Sequence, residues 1–175
     1  MMPNTAALPT LHVVPLQSSD AAHYRALMLE AYELAADAFT STPQERAAEP
    51  LTWWAQRINN PQGAVLGAFA GEVLMGTVAL EFSAKPKTRH KAHVLGMYVK
   101  QEFRACGAGR ALMDALLELA AQRAGVQVLN LTVTEGNEAA LRLYRSVGFE
   151  PFGTEPMAIR TPEGFKGKVH MWRRV

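Results

Sequence analysis

The segment QEFRACGAGRALMDALLELA (residues 101–120) sets Gly107, Ala108 and Gly109 between Arg104 and Arg110, directly before an apolar helical pattern. Glycine is a poor helix former, so its use at a helix start asks for a reason. A helix start exposes unpaired backbone N–H groups and the positive end of the macrodipole. Without side chains at Gly107 and Gly109, a phosphate can come close to those groups, and the two arginines add charge. A plain glycine turn would carry the same residues. Two nucleotide motifs fail here. A Walker loop needs Gly-Lys-Ser/Thr where Gly109-Arg110-Ala111 stands. A Rossmann fingerprint needs a small residue where Leu112 stands, and an acidic residue after the strand LNLTV.

The flanks are more specific. MYVKQEFRACGAGRALMDALLELA resembles the acetyl-CoA pyrophosphate loop of the GNAT-type N-acetyltransferase superfamily, in which Arg/Gln-x-x-Gly-x-Gly/Ala opens a helix after an apolar strand; here Arg104-Ala105-Cys106-Gly107-Ala108-Gly109 fills that pattern. A second superfamily signature is similar to LTVTEGNEAALRLYRSVGFEPFG, with Asn137, Ala140, Leu143, Tyr144, Gly148 and Phe149. Together they cover roughly the C-terminal half. Many members have Gly where Ala105 stands and a basic or polar residue where Cys106 stands; Ala105 is expected to cost one close backbone contact without breaking the loop. The resemblance implies that backbone groups of Met97, Tyr98 and Val99 pair with the pantetheine arm as an added strand. It further implies that the N–H groups of Cys106 to Arg110 hold the pyrophosphate, and that Asn137 contacts acetyl-CoA or orders the strand beside it. No metal is implied.

Acetyl transfer to an amine poses two proton problems. An alkylammonium with a pKa of about 10 must lose a proton before it attacks. A departing thiol with a pKa of roughly 8.5 gains from a proton donor. The resemblance gives Tyr144 that role, although its spacing with Ala140, Leu143 and Val147 fits a core stripe equally well. For the base, Glu81 at a strand end is placed ahead of His93, whose imidazole is also suited. Either residue is equally at home as an ordinary strand-end polar group. Cys106 lies near a helix start between two arginines, which favours thiolate, but direct attack by the amine needs no acyl-enzyme.

These residues need a scaffold. LHVVPL (residues 11–16) reads as a first strand. Ser18-Ser19-Asp20 precedes a helix with Tyr24, Leu27, Met28, Ala31, Leu34 and Ala35 at helical spacing. One further helix follows Thr42-Pro43 and carries Trp53, Trp54 and Ile58. AVLGAFAGEVLMGTVALEF reads as a hairpin turning at Gly71. Its second strand places Leu74, Val78, Leu80 and Phe82 on one face, and Met75, Thr77, Ala79 and Glu81 on the other. His93–Val99 is a strand, followed by the glycine loop, a helix from Ala111 to Arg123 and the strand VQVLNLTV. Asn137 caps a helix over 138–146, and FEPFGTEPMAIR and KVHMWRRV flank the loop TPEG. This order predicts an α+β fold with one mixed, mostly antiparallel central sheet, and the resemblance places helices on both faces. No linker divides the chain, so residues 1–175 read as a single domain.

Composition bounds the remaining possibilities. Hydrophobic residues make up 49% and charged residues 19%, which is globular rather than disordered. A formal charge of +2 with no basic stripe argues against nucleic acid as a partner. The single cysteine excludes an internal disulfide and a multi-cysteine metal site. MMPNTAALPTLHVVPLQ has neither a basic n-region nor a long apolar core, so no signal peptide or membrane span is expected, and a cytoplasmic compartment is the default. An acidic stripe of Glu30, Glu33 and Asp37, the loop FTSTPQERAAEP and the basic tip Lys85–Arg89 are candidates for contact with a small-molecule or peptide amine; each also reads as a solvated surface. One of Trp53 and Trp54, or Met171 and Trp172, is a candidate for a homodimer contact or the acceptor cleft. A non-catalytic acyl-CoA sensor is the alternative function.

Overall fold

The computed structural model describes residues 10–175; residues 1–9, which carry much of the segment read for targeting signals, lie outside the described residues. Seven strands form one sheet in the order β1-β2-β3-β4-β5-β7-β6. They are β1 (Leu11–Pro15), β2 (Gly63–Ala70), β3 (Val73–Phe82), β4 (Lys91–Val99), β5 (Val128–Thr134), β6 (Glu150–Thr161) and β7 (Gly164–Arg174). Every neighbouring pair is antiparallel except β4 and β5. That parallel pair needs a crossover, supplied by helix α4 (Ala108–Gln122). The mixed, mostly antiparallel sheet is therefore the one expected from element order.

Helices cover both faces. On one face, α4 and α5 (Glu138–Ser146) bury Leu112, Met113, Leu116, Leu141 and Tyr144 against Val78, Leu80, Leu129 and Leu131. On the other, α1 (Ala21–Leu34) and α3 (Leu51–Ile58) bury Tyr24, Leu27, Met28, Trp54 and Ile58 against Val65, Phe69 and Ala79. Full burial of each such aliphatic side chain is worth about 2 kcal/mol. Among the described residues, no helix is long and apolar enough to cross a membrane.

Several boundaries differ from the sequence reading, each for a physical reason. The single helix expected after Pro43 is two: α2 (Pro43–Ala47), held by the Thr42–Glu45 capping box, and α3. Pro50 stands in extended backbone between them, because it lacks an N–H and disfavours helix in the residue before it. Helix α4 starts at Ala108 rather than Ala111, after a short 3-10 helix at Gln101–Cys106. β4 begins at Lys91, β5 at Val128, and β7 at Gly164, leaving only Pro162 and Glu163 between β6 and β7.

On β3 the register slips by one residue opposite Ala68 and Phe69. Leu74 therefore packs with Ala79 on the α1 face, while Met75 joins Val78 and Leu80 on the α4 face. This exchanges the expected faces of Leu74 and Met75, as a bulge must. Trp54 and Met171 are core residues at 0% exposure, so neither is available for a subunit contact.

Candidate active site

β4 pairs with β5 only from Lys91 to His93, opposite Val128 to Asn130. Beyond that point the two strands part. Gly96 has φ +64, a conformation glycine adopts without a Cβ penalty, and the β3–β4 register slips beside it between Thr77 and Ala79. The β5-facing edge of β4 is thus left without strand partners along residues 94–99. It borders a cleft of about 490 Å³ lined by Glu81, His93, Met97, Asn137 and Tyr144, among others.

Glu81, His93 and Asn130 occupy one lateral row across β3, β4 and β5. Residues directly opposite in a sheet share a face. The Asn130 side-chain oxygen lies 2.5 Å from His93 Nδ1. An amide oxygen only accepts, so Nδ1 is the donor in this contact, and in the neutral tautomer Nε2 is the nitrogen left as acceptor. Glu81 is exposed and lines the same cleft. Asn130 was not singled out by sequence; its one signal is a carboxamide alternating with Leu129 and Leu131 in a buried strand.

Tyr144 and Asn137 form part of the opposite wall. Asn137 caps α5 as expected, its Oδ1 accepting from Ala140 N–H at 3.2 Å. Tyr144 is 7% exposed, packs edge-on against Phe149 and also lines the cleft. It is a core residue and a cleft residue at once. Burial pushes its phenol up to about 12, so it stays a proton-bearing donor at neutral pH.

The glycine loop lies past the end of β4, outside the cleft lining, as do Tyr98 and Val99. Gly107 has φ +81 with open space where a Cβ would stand. The first bond of the α4 ladder runs from Ala111 N–H to Gly107 O at 3.0 Å, so the N–H groups of Ala108, Gly109 and Arg110 precede that ladder. This geometry fits a pyrophosphate. The flanks are more engaged than expected: Arg104 Nε donates to Val99 O at 3.1 Å, and Arg110 pairs with Asp114 at 3.0 Å. The exposed Cys106 thiol donates to Phe103 O at 2.7 Å. Ala105 sits in the 3-10 helix leading into the loop.

On the far side of the cleft stand Tyr32, Phe39, Ser41, Arg46 and Arg57. The loop FTSTPQERAAEP therefore reaches the cleft. The acidic stripe does not line it. Glu30 accepts from Tyr98 O–H at 3.0 Å, while Asp37 pairs with Lys166 at 2.6 Å beside a neighbouring cavity. Burial and then Glu30 push the Tyr98 phenol up. The tip Lys85–Arg89 is likewise absent from the lining. Arg57 and Lys168 are the charged cleft residues not singled out from sequence; Lys168 is half-buried, and desolvation pulls its ammonium pKa down.

The acetyltransferase (GNAT) family model matches residues 28–149. The N-alpha-acetyltransferase RimI of Mycobacterium tuberculosis is 34% identical over 99 residues, which is 56% of this chain and 59% of that protein. The chain thus spans under two thirds of that relative's length. The L-amino acid N-acetyltransferase AaaT of Escherichia coli is 27% identical over 113 residues, 63% of this chain and 68% of that one. Among solved structures, yncA of Salmonella typhimurium with its cofactor acetyl-CoA superposes with a TM-score of 0.77 at 20% identity, covering 94% of each chain.

Proposed function

Because the chain belongs to the acetyltransferase (GNAT) family, we propose that it transfers the acetyl group of acetyl-CoA to a primary amine by direct attack in a ternary complex. The observation that carries this reading is the free edge of β4, which runs from the Glu81–His93–Asn130 row toward the glycine loop. Strand addition to an open edge gives an extended pantetheine arm backbone partners, and the loop at its end suits a pyrophosphate. Met97, Tyr98 and Val99 supply the edge; Cys106 to Arg110 supply the loop N–H groups. Arg104 and Ala105 border it.

Acetyl-CoA supplies the activated acyl carbon when bound. His93 Nε2 takes a proton from the acceptor ammonium, directly or through water, while Asn130 holds the ring's other nitrogen protonated. Glu81, beside His93 in the register, attracts the ammonium. Tyr144 donates a hydrogen bond toward the departing sulfur. With its phenol near 12, full proton transfer to a thiolate is uphill by several kcal/mol, so its contribution is the hydrogen bond. Asn137 orders the start of α5 and the adjoining wall.

Similar proteins are named an N-alpha-acetyltransferase and an L-amino acid N-acetyltransferase. An acceptor screen with acetyl-CoA, reading free CoA thiol and acetylated product, tests the proposal. Amine-dependent thiol release supports it. Tight acetyl-CoA binding with no turnover on any amine would favour a sensor instead.

A further inference from the structure

Resting on the acetyl-transfer reading, we infer that Arg46 and Arg57 form an anion subsite that holds the carboxylate of a small zwitterionic acceptor, one carrying its amine and a carboxylate together. Both guanidiniums stack on the ring of Trp53, at 4.7 Å and 5.5 Å from its centroid. Arg46 Nε donates to Ser41 Oγ at 3.0 Å, and Arg57 Nε donates to Tyr24 O–H at 3.1 Å. Each guanidinium plane is thereby fixed, and its terminal nitrogens are left for other partners. Both arginines line the cleft. Among the described residues, neither makes an ion pair with a carboxylate within 4.0 Å.

The charge balance points the same way. Among the described residues lining the cleft, Glu81 is the one acidic side chain, against Arg46, Arg57 and Lys168. An anion bound at the guanidiniums offsets this excess of positive charge. Arg57 is charged, as guanidiniums in proteins are, and its Nε is held by the Tyr24 hydroxyl. A polyamine or a plain alkylamine would add positive charge to an existing excess. A zwitterion meets both charges of the cleft lining: its ammonium turns to Glu81 and His93, its carboxylate to the arginines. The planar fork of arginine matches a carboxylate with two parallel hydrogen bonds.

The test compares kcat/KM with acetyl-CoA for aliphatic L-amino acids, their carboxamides, the decarboxylated amines and a peptide amide with a free N-terminus. The acids should lead their carboxamides by about tenfold to a hundredfold, the worth of a charge-assisted pair. Arg46→Gln should collapse that ratio toward one, mainly through KM. Carboxamides, plain amines or the peptide performing as well as the acids in the wild-type protein would overturn the subsite while leaving acetyl transfer standing. Loss of the acid preference needs no folded variant to detect. A protein that binds acetyl-CoA and acetylates no member of the panel would overturn the transfer reading and this inference with it.

Discussion

Glu81 and His93 stand directly opposite each other on antiparallel strands, at the last position where β4 still has a partner on both sides. The carboxylate and the imidazole are held by the sheet itself, not by a mobile loop. The next residues of β4 open onto the cleft, so the row sits where the sheet divides.

Asn130 orients His93, so of the two proposed bases the imidazole is the one held in place, and substitution separates them. His93→Gln should lower kcat/KM by about a hundredfold, mainly through kcat, whereas Glu81→Gln should act mainly through KM for the acceptor. Asn130→Ala should lower kcat with KM largely kept, because the ring loses its orienting partner. Wild-type kcat in His93→Gln would move the base elsewhere.

Tyr144→Phe keeps the ring against Phe149 and removes the donor. Turnover should fall by roughly a hundredfold, the worth of one hydrogen bond to developing charge, while acetyl-CoA affinity is retained. The same variant has a signature in stability. The folded phenol at about 12 lies above its ordinary 10.0, so burial favours the neutral form. Stability from this group is fully present below pH 10 and is lost as the pH rises through about 12. Ultraviolet titration should show one late-ionising tyrosine fewer in Tyr144→Phe, and its unfolding free energy should fall less steeply across that window. Wild-type turnover in the variant would leave Tyr144 as packing alone.

Gly109→Glu tests the phosphate loop. A Cβ at Gly109 meets Leu143 Cδ2 at 3.3 Å, the far end of a flexible side chain, so the helix should survive. The new carboxylate would face the charge that the loop is proposed to hold. Acetyl-CoA affinity should fall at least about tenfold, the effect of one lost charged contact. Calorimetric binding equal to that of the wild type, in a folded variant, would remove the pyrophosphate from this loop.

The sequence by itself determined what acts over a few residues. The Thr42 and Asn137 caps, the glycine loop at a helix start, the apolar stripes of α1 and α4 and the order of strands were all legible, because caps and periodicity depend on near neighbours. That local chemistry was sufficient for the mixed sheet with helices on both faces. Only tertiary structure decided how the distant parts meet. His93 finds Asn130 across 37 residues, through the single parallel pair of the sheet. Bulges on β3 and β4 shift the faces that strict alternation assigns, and they part the strands beside the site. Arg46 and Arg57 belong to different short helices separated by Pro50, yet both stack on Trp53 and both line the cleft. Register, bulges and such convergences depend on partners far away in the chain, and no local pattern encodes them.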